Sequence, residues 1–254
     1  MNPSSCPALR IVSLYADVMN VYADRGNLIA IRNRAAERGI PIEVFDVSLG
    51  DELPPDADLV LIGGGQDREQ HRIARELAAH GPRLREWVQA DIAVLAVCGG
   101  FQLFGRWYRD QHGVIVPGVE IFDLTSVAPG PKAPRAVGDV VARSTVGAIG
   151  EVVGFENHAG RTYLGPTARA FATVEHGFGN NGVDGTEGAV SRNAIGTYLH
   201  GAVLPKNPAF LDHLLAIALT HRCGEPVALD PLSAPYAARA HASAVAVARR
   251  RSRT

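Results

Sequence analysis

Ile92-Ala93-Val94-Leu95-Ala96-Val97-Cys98-Gly99-Gly100-Phe101-Gln102 is the stretch that decides the fold. A strand with one wet face alternates apolar and polar residues. Ile92–Val97 does not alternate, so it reads as a parallel strand covered on both faces. Cys98 ends that strand. Gly99 and Gly100 open a helix predicted over Phe101–Tyr108. A sharp strand-to-helix turn of this kind lifts one side chain above the sheet edge.

Working outward from it, Ile11–Tyr15, Ile42–Val47 and Asp58–Ile62 are further strands, the last ending in Gly63-Gly64-Gly65. Asn27 is placed to cap a helix that runs to Gly39, where a C-terminal glycine belongs. Glu69–His80 is helical and is expected to stop at Gly81-Pro82, with Arg83–Ala90 as a second piece. Strand–helix alternation implies a parallel sheet with right-handed crossovers, an α/β three-layer sandwich. After Gly113 the texture turns to short β-like runs: Asp139–Ala142, Glu151–Phe155, Ala170–Val174 and Ala194–Tyr198. Phe210–Arg222 is an amphipathic helix, and the Ala-rich residues 237–248 form a last one. The reading is one domain over 1–235, followed by a C-terminal helix and a solvated basic tail over 236–254.

Composition narrows the function classes. The chain has 254 residues, 46% of them hydrophobic, and a formal net charge of −1, so no global basic field draws it to nucleic acid. No apolar run approaches the roughly 20 residues of a membrane span. Met1–Arg10 lacks the pattern of a secretory signal, and the expected location is cytoplasmic. Cys6, Cys98 and Cys223 are odd in number and far apart, so no disulfide framework and no metal site is expected. Cys6 and Cys223 read as inert filler.

Cys98 does not. Glycine after it removes a β-carbon from a tight turn. The helix start beyond it favours a thiolate and puts the Gly99 N–H where an oxyanion would form. Gly63-Gly64-Gly65, ending another strand, offers a second donor at the same edge. A thiol nucleophile needs a base, and the candidates are His200, which follows a strand and precedes a loop, and His158 in Glu156-Asn157-His158.

These segments carry a resemblance. Ala96–Gln102, the turn at 63–65 and Tyr198-Leu199-His200-Gly201 resemble a class I glutamine amidotransferase of the cobyric-acid-synthase-like type. Tyr15–Asn27, Gly63–Gln70 and Gly154–Tyr163 resemble, within it, the GatD-type glutaminase subunits of lipid II isoglutaminyl synthases. The resemblance implies a flavodoxin-like fold and hydrolysis of L-glutamine to glutamate and ammonia. Ammonia would pass to a MurT-like Mur-ligase subunit that carries ATP and Mg and amidates the D-glutamate of the lipid II stem peptide. Cys98 would be the nucleophile and His200 the acid–base, with Gly99 and Gly64 or Gly65 as the oxyanion hole. Arg135 and Gln102 would bind substrate. No cofactor is implied for this chain, and no GxxxxGK[ST] phosphate loop is present.

The sequence departs from the family's pattern at two places. Ala96 stands where many members have glycine, and Ala202 replaces the usual glutamate two residues after the histidine. Glu156, put first, and then Asp17 and Asp24 are the acids available to orient His200. Three alternatives stay open: a subunit serving a cobyrinate-type synthetase, a silent binding subunit of the same fold, and a peptidase of the superfamily.

Overall fold

A computed structural model describes residues 6–20 and 24–251 of the chain, apart from the side chain of Arg251. Val21, Tyr22 and Ala23 of the Tyr15–Asn27 segment, and Ser252 and Arg253 of the tail, lie outside the described residues. In chain order the strands are β1 (Leu9–Leu14), β2 (Ile42–Val47), β3 (Leu59–Ile62), β4 (Ala93–Val97), β5 (Trp107–Arg109), β6 (Ile115–Pro117), β7 (Leu124–Val127), β8 (Ala136–Ser144), β9 (Glu151–His158), β10 (Arg161–Leu164), β11 (Ala172–His176), β12 (Thr186–Glu187), β13 (Ala189–Ser191) and β14 (Ala194–Thr197). The helices are α1 (Arg25–Glu37), α2 (Asp67–Gln89), α3 (Gly99–Leu103), α4 (Val203–Lys206), α5 (Pro208–Cys223) and α6 (Pro235–Arg251).

The central sheet has six strands in the order β13-β14-β4-β3-β1-β2, parallel throughout except for β13 at one edge. Every residue of β3 and β4 is buried, as their unbroken apolar sequences require. α5 packs on β1 and β4, and α3 on β4 and β14. Two further four-stranded sheets, β10-β7-β5-β6 and β12-β11-β8-β9, flank this core. α6 lies on β8 and β9, where Val245 and Ala248 close over Val141 and Val153.

Several local expectations need correction. Gly81-Pro82 does not end a helix, because α2 continues through Pro82. A helix-interior proline costs about 3 kcal/mol. Leu77, Leu84, Trp87 and Val88, buried on both sides of it, offset that cost at roughly 1.5–3 kcal/mol per large apolar side chain. α3 stops at Leu103 rather than reaching Tyr108. Gly105 packs flush on Leu124, with no room there for a β-carbon, and the chain turns into β5. Asn27 does not cap α1. Asp24 occupies that position, and Asn27 Oδ1 accepts the Leu204 N–H instead (3.0 Å).

The cysteine reading is also corrected. Cys6 and Cys223 form a disulfide with Cα atoms 5.8 Å apart, because the lead-in to β1 and the end of α5 meet in the fold. Cys98 is the free thiol among the described residues. No described helix is long and apolar enough to cross a membrane.

Candidate active site

Cys98 sits between β4 and α3 with φ +50° and ψ −105°, a conformation that a side chain strains. Such strain costs on the order of 1–3 kcal/mol and persists where surrounding structure enforces it. Here the Cys98 N–H donates to Thr197 O at 2.8 Å, and Cys98 O accepts from Gln102 N at 2.9 Å. The turn is thus pinned to β14 on one side and to its own helix on the other. That helix has only five residues, so its dipole is a small one.

The titratable neighbour of the thiol is His200. The residue follows β14 and its backbone pairs with Phe155 of β9 in both directions, at 2.7 and 3.3 Å. Its side chain is fully buried. Burial alone would drive the imidazolium to lose its proton. The negative charge of Cys98 and hydrogen bonds to Asp24 and Cys98 overcome that, and the His200 pKa is raised to about 10.

Asp24 heads α1 and uses both oxygens. Oδ1 accepts from His200 Nδ1 at 3.3 Å, and Oδ2 accepts the Gly64 N–H at 2.7 Å. The acid paired with His200 is therefore Asp24, and the placing of Glu156 there is corrected. Glu156 Oε1 and Oε2 accept the backbone N–H groups of Phe178 (2.6 Å) and Gly179 (3.0 Å), and its remaining contact is His158 Nε2 at 3.4 Å. Ala202, with φ +47°, leaves its β-carbon against Gly26, where a β-carbon would stand only 2.7 Å from it. The start of α1 thus fills the space beside position 202, and Asp24 enters from α1.

Gly64 is wedged between the reactive groups. A β-carbon on it would lie 2.8 Å from His200 Cε1 and 3.2 Å from Cys98 Cβ. Its N–H, however, is committed to Asp24, which corrects its assignment as an oxyanion donor. Gly65 and Gly99 stand face to face, since a β-carbon on Gly99 would lie 2.8 Å from Gly65 N.

Above Cys98 opens a pocket of about 290 Å³ that includes Gly65, Gln102, Arg135 and His158. Arg135 is exposed at its rim, donating from Nε to Asn157 Oδ1 (2.7 Å) and from Nη2 to Asn157 O (2.9 Å). Gln102 is buried at its wall. It accepts from Gln70 Nε2 (3.0 Å) and donates to the Tyr198 hydroxyl (3.0 Å). His158 stacks on Tyr198 with centroids 3.6 Å apart, and its Nδ1 donates to Gly160 O at 2.7 Å. Burial, the dominant influence, pushes its pKa down and keeps it neutral. Asp67 and Tyr108 also line the pocket; sequence reasoning did not single them out, although Asp67 lies within the Gly63–Gln70 segment. Among the described residues, no cluster of three His, Cys, Asp or Glu side chains could hold a metal ion.

The chain is similar to known proteins over most of its length. Residues 10–208 match the CobB/CobQ-like glutamine amidotransferase domain. The chain is 39% identical over 211 residues to the GatD subunit of lipid II isoglutaminyl synthase (glutamine-hydrolyzing) from Staphylococcus aureus strain N315, covering 82% of this chain and 83% of that one. The GatD subunit from Streptococcus pneumoniae strain ATCC BAA-255 / R6 is 34% identical over 223 residues, covering 87% and 84%. A solved glutamine amidotransferase superposes with a TM-score of 0.53 at 15% identity, over 82% of this chain and 98% of its own, which shows the fold.

Proposed function

Because the chain belongs to the CobB/CobQ-like glutamine amidotransferase family, we propose that it is the glutamine-hydrolysing subunit of a lipid II isoglutaminyl synthase. The observation that carries this reading is the strained Cys98 thiol, held against a buried His200 at the floor of a pocket large enough for one amino acid.

In this mechanism Cys98 and His200 rest as a thiolate–imidazolium pair. The thiolate attacks the side-chain amide carbon of L-glutamine. The resulting oxyanion is met by the N–H groups of Gly65 and Gly99, each worth roughly 10²–10³ in rate when well placed. His200 gives its proton to the departing nitrogen, ammonia leaves, and a glutamyl thioester remains on Cys98. The now neutral imidazole takes a proton from water as that water attacks the thioester. Glutamate departs and the ion pair is restored. Asp24 keeps Nδ1 protonated and the ring aligned throughout. Arg135 receives the α-carboxylate, and Gln102 shapes the wall beside it.

Ammonia then passes to a MurT-like ligase subunit. ATP and Mg act there to activate the D-glutamate carboxyl of the lipid II stem peptide, which becomes D-isoglutamine. The test uses the assembled synthase with Cys98→Ala. Glutamine-dependent amidation is expected to vanish while amidation from added ammonium persists. Glutamine use that survives in this variant overturns the assignment.

A further inference from the structure

The segment Asp67-Arg68-Glu69-Gln70 begins α2, and its four side chains go different ways. Arg68 is exposed and its guanidinium lies against Glu69 (2.9 Å). Gln70 is buried and structural, donating to Gly65 O at 3.1 Å and to Gln102 Oε1 at 3.0 Å. Asp67 lines the pocket over Cys98.

The charges in that pocket are few. Asp67 is the one acid among its lining residues and Arg135 the one permanent cation. They share the pocket without a salt bridge between them. Arg135 leans on Asn157, whereas Asp67 Oδ1 accepts from the Tyr108 hydroxyl at 2.8 Å. Asp67 lies in the first turn of a 23-residue helix, where the helix dipole favours negative charge. Tyr108 is itself buried, so its hydroxyl is a fixed donor that sets the orientation of the carboxylate. An acid and a base held apart by separate partners match a ligand with one positive and one negative end.

We propose that Asp67 binds the α-ammonium group of the glutamine substrate, opposite an Arg135 that takes the α-carboxylate. This deepens the glutaminase reading and rests on it. Asp67 is a specificity residue: it acts on the end of the substrate remote from the scissile amide. Tyr108 is a positioning residue that acts through it. The pair would let the pocket reject amides that lack an α-amino group.

The test compares ammonia release by the full chain from L-glutamine and from glutaramate, which differs from glutamine only by lacking the α-amino group. Wild type is expected to prefer glutamine in kcat/KM. Asp67→Asn keeps the shape and the Tyr108 hydrogen bond but removes the charge. Losing a charge-assisted hydrogen bond predicts a KM for glutamine about 10- to 100-fold higher, with kcat little changed. The glutaramate kcat/KM should stay at the wild-type value, which also reports that the variant is folded. Tyr108→Phe should raise the glutamine KM by a smaller factor, again sparing glutaramate. Equal losses on both substrates in Asp67→Asn, or no loss on either, overturn the assignment while leaving the glutaminase reading intact. A wild-type chain that releases no ammonia from glutamine, alone or with its ligase, overturns both.

Discussion

Two buried pairs of a carboxylate and an imidazole lie within this domain, and they behave in opposite ways. In Asp24–His200 the imidazole is pushed toward the charged form, whereas in Glu156–His158 it is pushed toward the neutral one. The acid–base separations, 3.3 and 3.4 Å, do not explain the contrast. The remaining partners do. His200 also faces Cys98, so a second anion shares its proton. Glu156 is already satisfied by two backbone N–H groups, and the His158 proton is held by Gly160 O. An acid near a histidine therefore says little about protonation until the other hydrogen bonds of both have been counted.

The largest way to break the comparison is Asp24→Asn. It removes the charge behind His200 and leaves an amide that can present the wrong hydrogen-bonding group. Glutamine hydrolysis should fall by roughly 10²–10⁴, and an NMR titration should show the His200 pKa well below the wild-type value. An unchanged turnover would remove Asp24 from the proton-handling set.

Glu156→Gln should act on the other observable. The buried carboxylate accepts two backbone N–H bonds, and an amide can satisfy only one of them without turning its NH₂ toward a donor. The expected loss is about 1–3 kcal/mol of stability by urea denaturation, with kcat for glutamine close to wild type at temperatures where the variant is folded. A hundredfold loss of kcat in folded protein would return Glu156 to the reactive centre.

The smallest effect is a pH signature that sharpens the contrast. The His200 pKa is raised from 6.5, so its contribution to stability is fully present below about pH 6.5 and is lost as pH climbs through about 10. The His158 pKa is lowered, so its folded state resists protonation and stability falls as pH drops below 6.5. Measured as the difference from wild type, His200→Gln should flatten the alkaline limb and His158→Gln the acid limb. The reverse assignment of limbs would contradict the two electrostatic environments.

Much of this was legible in the chain itself. The elbow could be read because β4 is an unbroken apolar run followed by two glycines, a pattern with few other uses. The place of His200 after β14 made it a candidate beside His158, and the family resemblance chose between the two. Asp24 was harder, since it meets His200 across 176 positions and only where α1 abuts the turn into α4. Glu156, named as an acid for His200, stands two residues from His158 on one face of β9, so its imidazole contact is His158 instead. Strands of three or four residues such as β5, β6 and β7 are too short to show a period, and the helix predicted through Tyr108 filled that gap.

The bond between Cys6 and Cys223, 217 positions apart, closes nearly the whole polypeptide into a ring, with α6 hanging outside it. In a chain-entropy picture such a ring disfavours the denatured ensemble by on the order of 5 kcal/mol. It also changes what cleavage means. A cut in any exposed loop between the two sulfurs opens the circle without releasing a fragment, so both halves stay covalently joined until a reductant separates them. A cut in the stretch leading to α6 severs that helix covalently and leaves only its packing on β8 and β9 to hold it.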